Sequence, residues 1–248
     1  MRRVSIIGCG WLGLPLGKSL AEAGFRVMGS TTSPEKFEVI EKAGIEPVLF
    51  KLEPMPVGEN FNQLFNAELL IVNIPPGRKS NTPQFYEEQI KYLKYRLKHS
   101  EVKQVIFVSS TSYYPNTNNL VTTETNYDFS IGSSEAVVKA EKQISAIDQD
   151  LVILRCGGLM GNDRIPGKWF SGKETTGAQT PVNYVHQSDV IKVIHYLINN
   201  WPQGQSVFNL VSDEHPVRKD VHEKMAEKYK FDPPVWTPRR RGRVSVYP

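Results

Sequence analysis

Apolar residues along the chain fall alternately into short β-branched runs and stretches with helical spacing. Val4-Ser5-Ile6-Ile7, closed by Gly8, has the pattern of a buried strand in a parallel sheet. From about Trp11 to Ala23, Leu12, Leu16 and Leu20 recur on one helical face and Gly24 marks the stop. Phe25 to Gly29 predicts a second strand, and Ser33-Pro34 starts a second helix, with serine as N-cap and proline at the first helical position. The rhythm continues with strands at 47–52, 69–72, 105–108 and 151–154, a long helix from about Pro83 to His99 and another from about Ser134 to Ile147. This alternation predicts an α/β fold, a Rossmann-type doubly wound parallel sheet.

Beyond Gly157 the order loosens. A segment rich in Gly, Asp, Pro and Lys runs from Gly158 to Gly177, followed by a helix at 188–199, a strand at 207–210 and a helix at 217–229. The expected division is a Rossmann core at 1–157, a small C-terminal lobe at 158–238 and a basic tail at 239–248. The lobe is too small for a full core of its own, so it is expected to pack on the C-terminal ends of the strands as a substrate lobe.

With 248 residues, 40% of them hydrophobic, the chain has room for one α/β core and a lobe but not for two independent catalytic domains. Its net charge of +4 owes part of its excess to Arg239, Arg240, Arg241 and Arg243, which read as a solvated tail rather than a nucleic-acid footprint. Cys9 and Cys156, each beside glycine at a strand end, suggest buried small side chains and neither a disulfide framework nor a metal site. The first apolar run is too short for a signal sequence or a membrane span, so a soluble cytoplasmic protein without a membrane partner is expected. Oligomeric state stays open, a homodimer among the options.

The chemistry begins at Gly8-Cys9-Gly10-Trp11-Leu12-Gly13, between the first strand and the first helix. In this arrangement the first glycine permits the tight turn, the second lets a pyrophosphate approach the backbone, and the third brings helix and strand together. The helix N-terminus then faces the phosphates with free N–H groups and the positive end of its dipole. The loop therefore predicts binding of a nicotinamide dinucleotide, NAD or NADP. An NAD site normally carries an acid at the end of the second strand for the ribose 2′-hydroxyl. Here stand Thr31, Thr32 and Ser33, with Lys36 one turn on, which favour NADP; the hydroxyls are also suited to capping the second helix. Asn73-Ile74-Pro75-Pro76, after the fourth strand, reads either as a wall against the ligand or as a turn, with Arg78 in reach of a phosphate.

Three later segments resemble the extended short-chain dehydrogenase/reductases, the NAD-dependent epimerase/dehydratase superfamily. Val108 to Pro115 resembles that family's Ser-Ser-x-x-Val-Tyr-Gly, Leu154 to Gly161 its Leu-Arg segment, and Val182 to Val190 its Val-His-x-x-Asp-Val. The resemblance implies cofactor contacts at Ser109, Gly157 and Gly158, and an assisting hydroxyl at Ser110. It also implies a Tyr-x-x-x-Lys pair that this chain lacks. With Glu141 matched to the glutamate that follows the pair, Ser133 stands for the tyrosine and Val137 for the lysine. Thr111-Ser112 replaces the Asp-Glu of the family's dehydratases, which argues against sugar-nucleotide dehydration.

Ser110, Tyr113 and Tyr114 are thus the candidate catalytic groups, the two tyrosines expected at the mouth of the site or else packed as an aromatic turn. His186 and Asp189 read as structural, Ser188 or Asp189 capping the next helix. Arg164, Lys168 and Trp169 are candidate substrate contacts on a loop that is either a lid or ordinary surface. Two functions follow: an NADP-dependent oxidoreductase or epimerase-like enzyme on an unidentified small substrate, in which nucleotide sugars are one class, or a non-catalytic NADP(H) sensor or scaffold.

Overall fold

The computed structural model describes residues 2–77, 82–117 and 119–238. In chain order it forms β1 (Arg3–Ile7), α1 (Gly13–Glu22), β2 (Arg26–Thr31), α2 (Phe37–Lys42), β3 (Glu46–Glu53), β4 (Met55–Gly58), β5 (Leu69–Val72) and α3 (Pro83–Lys98). Then follow β6 (Gln104–Ser110), α4 (Glu135–Ile144), β7 (Asp150–Cys156), β8 (Gly158–Met160), β9 (Glu174–Thr175) and β10 (Tyr184–His186). The last elements are α5 (Gln187–Asn199), β11 (Ser206–Leu210), α6 (Arg218–Tyr229) and β12 (Val235–Trp236). Among the described residues, no helix is long and apolar enough to cross a membrane.

Eight strands make one sheet in the order β11-β7-β6-β5-β1-β2-β3-β4, parallel except for the β3–β4 pair. The chain leaves β1 outward through β2 and β3, then returns to the other side of β1 with β5. That reversal opens a crevice beyond the carboxyl ends of β1 and β5, the place where doubly wound sheets take their ligands. All four residues of β5 are buried, as expected of a central strand covered on both faces. On one face Ile7, Leu70, Phe107 and Ile153 pack into a core with Ile90 and Leu93 of α3 and Ile144 of α4. On the other, α1 lies so close that a Cβ on Gly17 would come within 2.5 Å of Ile45.

Of the eight strands in this sheet, the one absent from the expected rhythm is β4. Its four residues are mostly exposed, and Pro56 sits opposite Leu52 on an antiparallel edge. A proline and an exposed surface suit an edge strand and hide it from a search for buried runs.

The structure divides into two compact units. One holds the described residues up to Gly157 together with Ile191–Leu210; the other holds Gly158–Val190 and the described residues from Val211 onward. Residues 191–210, expected in the lobe, belong with the first unit because β11 pairs in parallel with β7, from Ser206 opposite Val152 to Leu210 opposite Cys156. The tail at 239–248 and Arg78 lie outside the described residues.

The second unit has a small aromatic core of its own around His222 of α6, which is 1% exposed. Phe170 stacks on the imidazole at 6.1 Å, Trp236 lies at 5.8 Å, and the Tyr184 hydroxyl sits 2.9 Å from Nε2. Gly167 adopts φ +85°, and a Cβ there would meet His222 at 2.9 Å. The Gly158 to Gly177 segment thus packs against α6 through Gly167 and Phe170.

Burial, aided by the charge of Arg218, lowers the His222 pKa from 6.5 to about 4. Between those values the unfolded chain binds a proton that the folded one refuses, so stability is intact above pH 6.5 and falls as pH drops toward 4. Melting temperatures of wild type and His222→Gln across that range should converge as pH falls; parallel profiles would remove His222 as the cause.

Candidate functional site

The glycine loop is set by its neighbours in the sheet. Gly8 leaves β1 at φ +102°, a conformation that side chains disfavour, and its N–H donates to Ser30 Oγ at 2.9 Å. Cys9 N–H donates to the Ser30 carbonyl at 2.8 Å, and Asn73 Nδ2 donates to the Gly8 carbonyl at 3.2 Å. β2 and the end of β5 thus hold the loop from both sides. A Cβ on Gly13 would lie 2.1 Å from the Gly8 carbonyl oxygen, and one on Gly8 2.4 Å from that of Asn73. A Cβ on Gly10, in contrast, would meet nothing within 4 Å. The first and third glycines are required by the fold itself, whereas the second faces open space.

The N-terminus of α1 carries no side-chain cap and no acid in its first turn. The positive end of its dipole is available to an anion, and the missing Cβ of Gly10 allows that anion to reach the backbone, although in this turn the Leu14 N–H is taken by the Gly10 carbonyl at 3.0 Å and Pro15 has none. These features fit a dinucleotide pyrophosphate.

A cavity of about 510 Å³ opens beside the loop, lined by Gly8, Gly10, Thr31, Thr32, Lys36, Asn73, Ile74 and Pro75 of the expected residues. It is also lined by residues that the motif reading missed: Cys9, Ser30, Phe50, Lys51, Leu52, Glu53, Phe85 and Gln89. Those from β3 and α3 carry no local signature, and only the parallel register and the α3 docking bring them to the loop. Cys9 is a neutral filler, since burial pushes its thiol up to about 12.

Several expected contacts lie elsewhere. Leu12 is 3% exposed, so its side chain belongs to the core and only its backbone faces the loop. Trp11, Ser33 and Pro76 are not among the lining residues. Ser33 occupies the N-cap position of the turn before α2 without a side-chain cap bond; Thr31 Oγ1 instead accepts the Ser33 N–H at 3.2 Å. Gly157 is buried and its N–H donates to the Leu210 carbonyl at 2.9 Å. Gly158 N–H donates to the Asn183 carbonyl, and a Cβ there would meet the Tyr184 ring at 2.6 Å.

At the end of β6 the structure separates the candidate catalytic groups. Ser110 is half-buried and its Oγ accepts the Ser112 N–H at 3.1 Å, which leaves its own hydrogen to donate. Ser109, expected at the cofactor, donates its hydroxyl to Glu141. Tyr114 is not at the mouth of a site: it is 4% exposed, its hydroxyl 2.6 Å from Asn209 Oδ1 and 2.9 Å from Arg155 Nη1. Tyr113 is half-buried, with its ring 3.5 Å from the Arg155 guanidinium carbon. Burial pushes the Tyr113 phenol up, against the pull of Arg155. At neutral pH it is a protonated donor rather than a base.

The centre of this cluster is the buried Glu141–Arg155 ion pair, with Nη2 to Oε2 at 2.8 Å and Nε within 3.2 Å of both carboxylate oxygens. Glu141 projects from the buried face of α4 with Val137, Val138, Ala140 and Ile144. Ser133, at the tyrosine position of the resembled pair, is buried with its Oγ accepting the Asp128 N–H, and Val137, at the lysine position, is 4% exposed.

In the second unit Arg164, Lys168 and Trp169 all lie on the surface. Trp169 also touches the His222 ring edge-on at 6.2 Å. His186 ends β10, with Nδ1 2.8 Å from Ser188 Oγ, at the start of α5.

No family model matches the chain. It is 32% identical over 237 residues to protein YeeZ of Escherichia coli strain K12, covering 94% of this chain and 86% of that protein. Of solved structures, MoeE5 in complex with UDP-glucose and NAD superposes with a TM-score of 0.79 at 16% identity, covering 97% of this chain and 86% of that one. The Bordetella bronchiseptica enzyme WbmH in complex with NAD+ gives 0.76 at 15% identity, with 96% and 86% covered.

The three glycines are expected to respond differently. Gly10→Ala should keep the wild-type melting temperature and weaken dinucleotide binding in calorimetry. Gly13→Ala should destabilise the protein by about 1–3 kcal/mol through backbone overlap. Equal loss of stability in both variants would contradict the open space at Gly10.

Proposed function

The chain belongs to the family of protein YeeZ, and we propose that it is a member of the NAD-dependent epimerase/dehydratase superfamily and an NADP(H)-dependent enzyme of oxidoreductase or epimerase type. The observation that carries the cofactor reading is the cavity beside the glycine loop: Thr31, Thr32 and Lys36 stand on its wall where an NAD site would carry a carboxylate at the end of β2. Thr32 and Lys36 offer hydroxyl and ammonium donors to a 2′-phosphate that an acid would repel, while Thr31, 7% exposed, gives its hydroxyl hydrogen to the Ser33 carbonyl at 3.3 Å. Leu52, Ile74 and Phe85 form the apolar part of the wall for the adenine.

A bound nicotinamide supplies hydride exchange. The chain's part is to orient the substrate oxygen and give or take its proton. Ser110, whose hydroxyl hydrogen is left to donate, is the proposed oxygen-binding group, with the protonated Tyr113 phenol as the proton donor. Arg164, Lys168 and Trp169 are the proposed anchors for an anionic, ring-bearing substrate of the nucleotide-sugar class.

One observation favours a second reading, a non-catalytic NADP(H) sensor or scaffold. The positions of the resembled Tyr-x-x-x-Lys pair hold a buried serine and a buried valine, neither of which transfers a proton at neutral pH.

We also propose a homodimer through the outer face of α3. Tyr95 is 62% exposed there, and the same helical face carries Glu88 in the first half of α3 and Lys91 and Lys98 in its second. Two-fold antiparallel pairing sets Glu88 of each copy toward the basic half of the other.

Calorimetry should show NADPH binding more tightly than NADH; equal affinities would overturn the NADP reading. NADPH oxidation with carbonyl compounds should fall about 100-fold or more in Ser110→Ala. Tight NADPH binding with no turnover of any carbonyl or nucleotide-sugar substrate would leave the sensor reading. Sedimentation should give twice the 28.1 kDa chain mass, and the chain mass itself in Tyr95→Glu.

A further inference from the structure

The cavity beside the glycine loop holds a second lysine that no motif marks. β3 runs on past the end of β2: their parallel register pairs Thr31, the last residue of β2, with Leu49. Lys51, two residues on, therefore lies one pleat further on the face that Leu49 and Thr31 share. This places it beside the turn that carries Thr32 and Lys36, and Thr31, Thr32, Lys36 and Lys51 line the same cavity. Lys51 forms an ion pair with Glu53, itself on the cavity wall, and both side chains are about half exposed, 52% and 47%.

The geometry points to Lys51 as the second cation of a 2′-phosphate subsite, and to Glu53 as the counter-charge it exchanges for that phosphate. The inference rests on the NADP(H) reading of the cavity. A phosphomonoester carries a charge of about −1.5 to −2 at neutral pH, which one lysine leaves half compensated. Lys36 approaches from the turn before α2, Lys51 from the sheet, and a dianion between them is met from two sides. A lysine on a flexible stem with three rotatable donors suits such a change of partner. The Lys51–Glu53 pair is exposed enough for its attraction to be weak, so giving it up costs little, and the phosphate offers the larger charge. With a 2′-hydroxyl in place of the phosphate, Lys51 stays on Glu53. The ion pair is thus the part of the wall that reads the difference between the two cofactors.

Calorimetry on the full chain tests this with NADPH, NADH, adenosine 2′,5′-bisphosphate and adenosine 5′-monophosphate as probes. Lys51→Ala should weaken NADPH and the bisphosphate about tenfold or more, as loss of a charge-assisted hydrogen bond implies, and leave NADH and the monophosphate within about twofold. Lys51→Arg should keep the preference, and Glu53→Gln should tighten NADPH. Circular dichroism and melting temperature confirm that each variant is folded. A wild type that prefers NADPH but retains the preference in Lys51→Ala would overturn the role of Lys51 and leave the NADP(H) reading standing. Equal weakening of all four probes would make Lys51 a residue that shapes the cavity, and would overturn the subsite. A wild type that binds NADPH and NADH alike fails at the earlier step, the cofactor reading itself.

Discussion

The close approach of α1 to the ends of β1 and β5 is the constraint on which the site depends. With no Cβ on Gly13 the helix can start against the Gly8 carbonyl, and with none on Gly8 the loop can pass under the Asn73 carbonyl. Two backbone crossings this tight fix where the α1 N-terminus points. They also bring the end of β2 to the loop, through the bonds from Gly8 and Cys9 to Ser30. Everything proposed for the cofactor, from the pyrophosphate at Gly10 to the lysines beside Thr31, is measured from that corner.

A second constraint holds the other side of the sheet. The Glu141–Arg155 pair is almost fully buried, and a lone charge left in that place by loss of its partner costs about 3–5 kcal/mol. A remaining guanidinium donor holds the Tyr114 hydroxyl, which in turn donates to Asn209, and Tyr113 lies over the guanidinium face, so β6, β7, β11 and α4 are tied around one guanidinium. This explains why two tyrosines adjacent in sequence have different fates. Tyr114 serves the buried network, and Tyr113 lies over the guanidinium face at the edge of it.

Much of the fold was legible because parallel strands covered on both faces read as unbroken apolar runs, and because glycines stop their helices. Val4 to Ile7, Leu69 to Val72 and Leu151 to Leu154 were found this way, the second with both ends matched and the others short by one or two residues. β4 was not, since an exposed edge strand with a proline has no buried run to betray it. The motif at Gly8 to Gly13 located the loop, but about a third of the cavity wall comes from β3 and α3, whose residues at 50–53, 85 and 89 follow no local pattern. The Ser109 hydroxyl and Tyr114 were misplaced for a related reason: a strand end shows which residues are near a site, not which way each side chain turns.

By itself the sequence determined the order of the main strands and helices, the glycine loop between β1 and α1, and the absence of a carboxylate at the end of β2. These are local properties, set by side-chain periodicity, backbone freedom at glycine and residue chemistry over a few positions. Only the tertiary structure decided which of Ser109, Tyr113 and Tyr114 are committed to a buried ion pair, that β11 returns to the first unit, and that Lys51 and Glu53 share a cavity with Lys36. Those depend on sheet register and on polar side chains meeting across 14 to 41 residues of chain, which no local pattern encodes.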